Sequence, residues 1–327
     1  MSQYTIKDRV VGIDIDTRKT TYAIVDVRGN ILTRDSFSTL DYPNVNEFVS
    51  VLCDKVFDMM TAHGGYDTVR SVGISASSSN FITGCIENAA NLPWKGIVPL
   101  AAMMRDRLGL SVALGNNAHV ITLGEQAFGM AHGMKDFVGI TIGTGMGSCI
   151  FCNGAPYLGS NGFVGEIGHT CVVPEGGRQC GCGRQGCLET YTAAKGVVMT
   201  ARELMDGHTL PTQLDEAEEL TPQVLTEYCE KGDAVAIETY RRTGHMLGLA
   251  LANYAALVNP EAFVFIGEVT RAGKWLLEPA WETFNKHVFR NIEGKTKFLL
   301  SHSQGRDCYL LGASVLAWQV KEYSLFK

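Results

Sequence analysis

The sequence has no long apolar run, no net positive charge and no apolar segment at its N-terminus. In its 327 residues, no apolar stretch approaches the roughly 20 consecutive residues that a membrane-spanning helix requires. The formal net charge of −6 argues against a broad surface for binding nucleic acid. Residues 1–9 are polar and lack the apolar core of a secretory signal. We therefore expect a cytoplasmic protein that binds neither membranes nor nucleic acid.

Ten cysteines are present, but they are scattered along a chain without an export signal, which predicts reduced thiols and not a disulfide framework. Three of them, Cys180, Cys182 and Cys187, fall within eight residues of a glycine-rich run, and His169 lies just upstream. Zn²⁺ takes four nitrogen or sulfur ligands in a tetrahedron, and glycines let the backbone curl around one ion. The spacing therefore predicts one structural zinc ion. The alternative is a loop of reduced cysteines without metal.

Apolar runs that predict strands alternate with segments of helical periodicity, which is typical of an α/β protein. The chain length suits two domains. Two blocks, residues 10–27 and 137–152, share one plan: a strand, a polar or glycine-rich turn, and an antiparallel strand. This duplication is similar to that of the actin-like ATPase fold. The helices predicted with greatest length cover residues 44–62 and 234–257, and a last helix is predicted from 312 to about 323.

Residues 165–169 read GEIGH, and residues 180–189 read CGCGRQGCLE. This pattern resembles the signature of the ROK family of sugar kinases and sugar-responsive regulators, over nearly the whole chain. The resemblance implies a two-domain, ribonuclease H-like fold of the actin-like ATPase class with a zinc-stapled loop. It implies a small domain of residues 1–118 plus 311–327, carrying the first phosphate loop and the sugar-side loops. Residues 119–310 would form a large domain with the second phosphate loop, the zinc loop and the helical nucleotide side. Family members are usually homodimers.

The resemblance also implies a set of sugar-contacting residues, whose amide, carboxylate and imidazole groups suit neighbouring sugar hydroxyls. They are Asn91, Asn116, Glu166, His169 and Glu189. One nitrogen of His169 would bind zinc while the other faces a sugar hydroxyl. One sugar-side loop departs from the family, because residues 75–80 read SASSSN where ROK kinases carry a Gly-x-Pro-Gly turn. We expect its backbone path to differ.

On the nucleotide side, the resemblance implies a second set of residues. They are Asp14, Lys19, Gly143, Thr144, Gly145 and Gly267. The second phosphate loop, GTGMG at residues 143–147, matches the family. The first does not: residues 14–19 read DIDTRK where the family has Asp-x-Gly-Gly-Thr-Lys, so we expect the tight glycine turn to be lost. A further departure is GEV at residues 267–269, where the family has three glycines.

The catalytic position departs as well. ROK kinases read Glu-Asn-Asp-Ala-Asn, and the aspartate takes the proton from the sugar hydroxyl. Here residues 115–119 read GNNAH, which places Asn117 at the position of the base. A carboxamide can orient a hydroxyl but cannot accept its proton at neutral pH, and a general base contributes roughly 10²–10⁴-fold to a rate. His119 is an alternative base.

Two functions compete on these observations. The first is a ROK-family sugar-binding protein on a kinase scaffold whose kinase activity is weak or lost. The alternative is an active, glucokinase-like enzyme that uses ATP and Mg²⁺ to phosphorylate a hexose or N-acylhexosamine. A transcriptional regulator is disfavoured, because the first strand begins by Val10 and leaves no room for a preceding DNA-binding module. In both readings the partner is a small-molecule sugar.

Overall fold

The computed structural model of the protein describes residues 6–89, 91–302 and 307–320. These residues group into two compact units of mixed helix and sheet, each with its own hydrophobic core. Within the described part of the chain, none of the helices combines the length and the hydrophobicity needed to cross a membrane.

The first unit contains residues 6–132 and 158–163 and the last helix. Its strands are β1 (Arg9–Ile15), β2 (Lys19–Asp26), β3 (Ile31–Ser38), β4 (Val69–Ala76), β5 (Ser79–Asn80), β6 (Cys85–Glu87), β7 (Ile97–Val98) and β8 (Ser111–Gly115). Its helices are α1 (Val45–Ala62), α2 (Leu100–Leu108), α3 (Asn117–Phe128) and α9 (Asp307–Gln319), with a 3-10 turn at Tyr66–Thr68. The main sheet has the order β3-β2-β1-β4-β8, while β5, β6 and β7 form a small separate sheet.

The second unit contains residues 133–157 and 164–302. Its strands are β9 (Phe137–Ile142), β10 (Met146–Cys152), β11 (Ala155–Pro156), β12 (Ala262–Ile266) and β13 (Lys297–Leu300). Its helices are α4 (Glu189–Thr192), α5 (Ala194–Asp206), α6 (Pro222–Glu230), α7 (Ala234–Val258) and α8 (Lys274–His287), with 3-10 turns at Ile167–His169, Leu214–Glu216 and Val269–Ala272. The sheet order is β11-β10-β9-β12-β13.

The two sheets follow the same plan. In the first, β1 pairs antiparallel with β2 and parallel with β4, which in turn pairs parallel with β8. In the second, β9 pairs antiparallel with β10 and parallel with β12, which pairs parallel with β13. The interior strands β1 and β12 are almost wholly buried, which explains why they are continuous apolar runs in the sequence. The duplication predicted from the sequence is therefore present in the structure.

The last helix begins earlier than its sequence pattern predicts. Helix α9 starts at Asp307, five residues before the predicted start, and the predicted end near residue 323 lies outside the described residues. Most of this helix is buried, from Cys308 to Ala317. A helix that is apolar on all sides has no polar stripe, so its sequence shows no 3.6-residue periodicity to mark where it starts.

Helix α9 packs very closely on the first sheet and on α3, at positions occupied by glycine. A Cβ atom added to Gly73 on β4 would lie 1.9 Å from the carbonyl oxygen of Ala313. A Cβ added to Gly312 would lie 2.0 Å from the carbonyl oxygen of Val120 on α3. Because these neighbours are backbone atoms, they cannot move aside as a flexible side chain could. The glycines therefore allow the backbone of α9 to lie directly against β4 and α3.

We expect Gly73→Ala to lower the free energy of unfolding by about 3 kcal/mol, because the added methyl group overpacks a backbone contact. Urea denaturation of wild type and variant measures this difference. Gly207→Ala is the matched control, because Gly207 has φ of −73° and the nearest atoms to its added Cβ are 3.5 Å away. This control should be neutral or slightly stabilising. Equal stability of Gly73→Ala and wild type would contradict the close packing of α9.

Candidate active site

His169 and three cysteines of the second unit form a group of potential metal ligands. One ligand atom from each of His169, Cys180, Cys182 and Cys187 lies within 4.8 Å of all the others. The Sγ atoms of Cys182 and Cys187 are 3.7 Å apart, and Cys180 Sγ is 3.6 Å from His169 Nδ1. Two thiolates bonded to a tetrahedral zinc ion at about 2.3 Å are separated by roughly 3.8 Å. The donor set therefore fits one ion of this size and coordination.

The three thiols differ in acidity. The backbone N–H of Arg184 bonds the Cys182 sulfur and lowers the pKa of Cys182 to about 6. Burial raises the pKa of Cys180 well above its usual range, and it also raises the pKa of Cys187. A bound dication deprotonates coordinating thiols outright. The arrangement thus favours a cation that can hold three thiolates together.

Arg178 anchors the loop that carries the cysteines. Its guanidinium donates hydrogen bonds to the carbonyl oxygens of Thr190 (2.9 Å) and Gly196 (2.8 Å) and to the carboxylate of Glu203 (2.7 Å). It also lies over the ring of Tyr191, 4.7 Å from the centroid. The sequence does not identify Arg178 as an important residue, since it is only one arginine in a glycine-rich run. Its hydrogen-bond partners are spread along α4 and α5, so no local pattern shows them. It ties the cysteine loop to both helices.

Two carboxylates flank the imidazole of His169 on opposite sides. Glu189 Oε1 lies 3.0 Å from Cys180 Sγ and 3.5 Å from His169 Nδ1. Glu166 Oε2 lies 4.0 Å from His169 Nε2, and the Glu166 side chain is 50% exposed. Burial raises the pKa of Glu166 despite the opposing attraction of His169. Nδ1 therefore faces the cysteines, while Nε2 and the Glu166 carboxylate face a more open region.

The glycine-rich turn between β9 and β10 lies beside Glu189. Thr144 and Gly145 are exposed, and no heavy atom lies within 4 Å of the position of a Cβ on Gly143. Glu189 Oε2 accepts a hydrogen bond from Met146 N at 3.4 Å and lies 3.4 Å from the Cβ position of Gly145. The second unit thus brings an exposed glycine turn, which an anion can approach, next to the carboxylates around His169.

In the first unit, Asn116 and Asn117 lie at the start of α3. Asn116 is the N-cap residue, and its Oδ1 accepts a hydrogen bond from Ala118 N at 3.0 Å. The Asn117 amide is held between two serines: Ser75 Oγ donates to its Oδ1 at 2.9 Å, and its Nδ2 donates to Ser77 Oγ at 3.2 Å. Both serines belong to the loop that replaces the family's Gly-x-Pro-Gly turn. The two departures are therefore in direct contact.

Asn91 and His119 are placed differently. Asn91 is exposed, in an irregular segment between the small sheet strands β6 and β7. His119 lies two residues beyond Asn117 on α3. Side chains two positions apart on a helix do not face each other, so the imidazole of His119 projects away from the Asn117 amide. This geometry does not favour His119 as a substitute base.

The turn at residues 14–19, predicted as the first phosphate loop, is closed without glycine. Asp14 is buried at the end of β1, and Lys19 is exposed at the start of β2. Asp16 N donates a hydrogen bond to Lys19 O at 3.2 Å, and residues 16–18 all avoid positive φ. The backbone conformation of this turn is therefore open to residues other than glycine, and β1 and β2 remain paired up to Ile15 and Thr20.

Two other segments that lack glycines of the family also have backbone conformations that other residues can adopt. Ser78 lies in the segment that replaces the Gly-x-Pro-Gly turn and has φ of +57°, so this loop contains a left-handed residue that is not glycine, at some conformational cost. Gly267 has φ of +110°, and a Cβ there would lie 2.5 Å from Ile142 O, whereas Glu268 has an ordinary φ of −67°. Glycine is thus kept in this segment where the backbone requires it.

Each unit contains one sheet of the same ribonuclease H-like plan, and the second unit also carries a glycine turn and a His/Cys group. This arrangement defines a member of the actin-like ATPase class. The chain belongs to the ROK family, whose model matches residues 10–320. It is 31% identical over 321 residues to a glucokinase of Halalkalibacterium halodurans, covering 95% of this chain and 94% of that protein. The predicted ROK family and the predicted α/β fold of the actin-like ATPase class are therefore confirmed, whereas the zinc ion of the predicted stapled loop stays a prediction.

Solved structures agree with this assignment. A ROK family glucokinase of Streptomyces griseus, in complex with glucose and AMPPNP, is 29% identical with a TM-score of 0.76, covering 95% of this chain and 100% of that one. A ROK family transcriptional regulator, a homolog of the E. coli MLC protein, gives a TM-score of 0.83 at 21% identity, covering 95% of this chain and 78% of its own, which shows the shared fold. The glucokinase relatives support the active-kinase alternative better than the prediction of weak or lost activity.

Proposed function

We propose that this chain is an ATP-dependent sugar kinase that transfers a phosphoryl group to a hydroxyl of a hexose or N-acylhexosamine. The observation that carries the proposal is the adjacency, in the second unit, of Glu166, His169 and Glu189 to the exposed turn at residues 143–145. Carboxylates and an imidazole suit sugar hydroxyls, while an open glycine turn suits a phosphate chain. The glucokinase of Halalkalibacterium halodurans, which is similar to this chain over nearly its full length, supports the same proposal.

The His/Cys group has a structural role in this proposal. His169 Nδ1 and the sulfurs of Cys180, Cys182 and Cys187 would hold one Zn²⁺ in a closed tetrahedral site, leaving no position for water. His169 Nε2 would then be free of metal and face the sugar. Glu189, whose Oε1 lies 3.0 Å from Cys180 Sγ, is held in place by the same loop. The ion would therefore position the sugar-binding residues without taking part in the chemistry.

Asn117 stands where the family has its base, so its contribution is limited to orientation. Phosphoryl transfer passes through a loose transition state and depends mainly on positioning and electrostatic stabilisation. The amide is fixed by Ser75 and Ser77, and it can direct a sugar hydroxyl towards the γ-phosphate without taking its proton. We infer that transfer is slower than a carboxylate at this position would allow.

A second candidate function is a sugar-binding protein without turnover. One observation favours it: both polar atoms of the Asn117 amide bond to serines, and an amide cannot accept the proton of a sugar hydroxyl at neutral pH. Sugar-dependent formation of ADP and sugar phosphate, assayed over a panel of hexoses and N-acylhexosamines, decides between the two. Sugar binding without product supports the second candidate, and the absence of both binding and product would contradict both.

Sugar binding itself is expected to raise the melting temperature in the absence of ATP. A ligand at about 100 times its Kd stabilises the native state by roughly 2.7 kcal/mol, which differential scanning fluorimetry detects as a shift of several degrees. Glu166→Ala and Glu189→Ala should abolish the shift, because each removes an acceptor for sugar hydroxyls. Glu282→Ala, at an exposed position of α8, should leave it intact. A shift retained in both site variants would contradict the assignment of these carboxylates.

A further inference from the structure

Cys171 lies directly opposite Cys187 in an isolated antiparallel bridge. Two hydrogen bonds flank the pair, from Leu188 N to Thr170 O at 2.9 Å and from Val172 N to Gly186 O at 2.8 Å. This pattern defines a non-hydrogen-bonded pair, in which the Cα atoms are about 4.5 Å apart and the side chains are close neighbours. Disulfides form between Cα atoms about 4.4 to 6.8 Å apart. The backbone is therefore already placed for a disulfide between these two residues.

The two cysteines differ in access and in role. Cys171 is exposed and lies outside the group of four potential metal ligands, whereas Cys187 is 1% exposed and belongs to it. The Arg184 guanidinium donates a hydrogen bond to the carbonyl oxygen of His169 at 2.7 Å, two residues before Cys171. Exposure to solvent makes a cysteine accessible to an oxidant. Of the two residues of this pair, Cys171 is thus the thiol that an oxidant reaches first.

We propose that Cys171 is an oxidation site at which a peroxide forms a Cys171–Cys187 disulfide and thereby removes one ligand from the metal group. The proposal rests on the zinc site of the proposed function. The Cys171 thiolate attacks one oxygen of hydrogen peroxide, the O–O bond breaks, and the leaving hydroxide takes a proton to become water. The Cys187 sulfur then attacks the sulfenic sulfur, the S–O bond breaks, and the second oxygen leaves as water. Two thiols lose two electrons, and one peroxide becomes two waters.

The Sγ atoms of Cys182 and Cys187 are also close, at 3.7 Å. Both, however, are ligands in the proposed zinc site, where the metal engages the thiolates and withholds them from the oxidant. Cys171 carries no metal in that site, so the first oxidation occurs there. Once Cys187 is in the disulfide, three ligands remain for zinc. The ion is then held weakly, and the metal no longer fixes the loop that positions His169 and Glu189.

The experiment treats the zinc-loaded full chain with hydrogen peroxide and follows released zinc with a chromogenic chelator. Peptide mass spectrometry locates the disulfide in parallel. Wild type should release about one zinc per chain and yield the Cys171–Cys187 peptide pair, and Cys171→Ser should release zinc roughly tenfold more slowly. Cys152→Ser, which removes an exposed cysteine of the same unit outside the metal group, should behave as wild type.

Equal release from wild type and Cys171→Ser, or a disulfide that joins other cysteines, would overturn the proposal. Cys171→Ala is a second variant in case the serine disturbs folding, and circular dichroism and zinc content of both variants check that they are folded and loaded. Absence of zinc from untreated wild type would instead contradict the zinc site. Because mass spectrometry detects the disulfide with or without metal, the two failures are distinguishable.

Discussion

Replacing Asn117 by aspartate is expected to raise the turnover number for sugar phosphorylation by roughly 10²-fold, the lower end of what a general base contributes. The carboxylate can accept the proton of the sugar hydroxyl, which the amide cannot. The site accommodates the change, because the hydroxyls of Ser75 and Ser77, now bonded to the amide, can both rotate to donate to a carboxylate. A coupled assay of ADP formation at saturating sugar and ATP measures the turnover number of each protein.

Asn46→Asp is the matched control for this substitution. Asn46 is exposed and lies in the first turn of α1, and Asn117 lies in the first turn of α3. Each aspartate adds a negative charge near a helix N-terminus, where the helix dipole stabilises it slightly. Only Asn117→Asp should change the turnover number. An unchanged turnover number in Asn117→Asp would show that proton abstraction at this position does not limit the reaction, and would contradict the assignment of Asn117 to the base position.

Cys187→Ser is expected to remove stoichiometric zinc and to lower the melting temperature by roughly 10 °C, because several kcal/mol of binding free energy are lost. Structural zinc sites in small domains contribute about 10–16 kcal/mol of apparent binding free energy, and the loss of one of four ligands removes a large part of it. The loop from residue 170 to residue 188 contains few apolar residues that could hold it in place instead. Elemental analysis and differential scanning calorimetry measure the two effects.

Cys229→Ser tests whether the loss of any buried thiol gives the same result. Cys229 is as buried as Cys187, at 1% exposure, and lies on α6 of the same unit, but it is outside the metal group. This variant should keep one zinc per chain. The zinc site is wrong if wild type purified without chelator carries no zinc, or if Cys187→Ser still carries one zinc per chain.

The sequence by itself determined the elements and the local motifs. The buried strands are visible as apolar runs, since a strand covered on both faces needs no polar residues. The repeated strand-turn-strand blocks correctly predicted two sheets of one plan. The potential metal ligands were also identified from spacing alone, because three of them lie within eight residues and are close in space whatever the rest of the chain does.

Only the tertiary structure decided the contacts between residues that are far apart in the chain. Ser75 and Asn117 are 42 positions apart, so no local pattern links the substituted loop to the substituted base. The pairing of Cys171 with Cys187 depends on the register of a short bridge, and the role of Arg178 depends on helices that begin after it. The start of α9 was missed because a helix buried all round has no polar face. A local sequence pattern reflects the periodicity of a single helix or strand. The contacts of Asn117, Cys171 and Arg178 depend instead on how separate helices, strands and loops pack together.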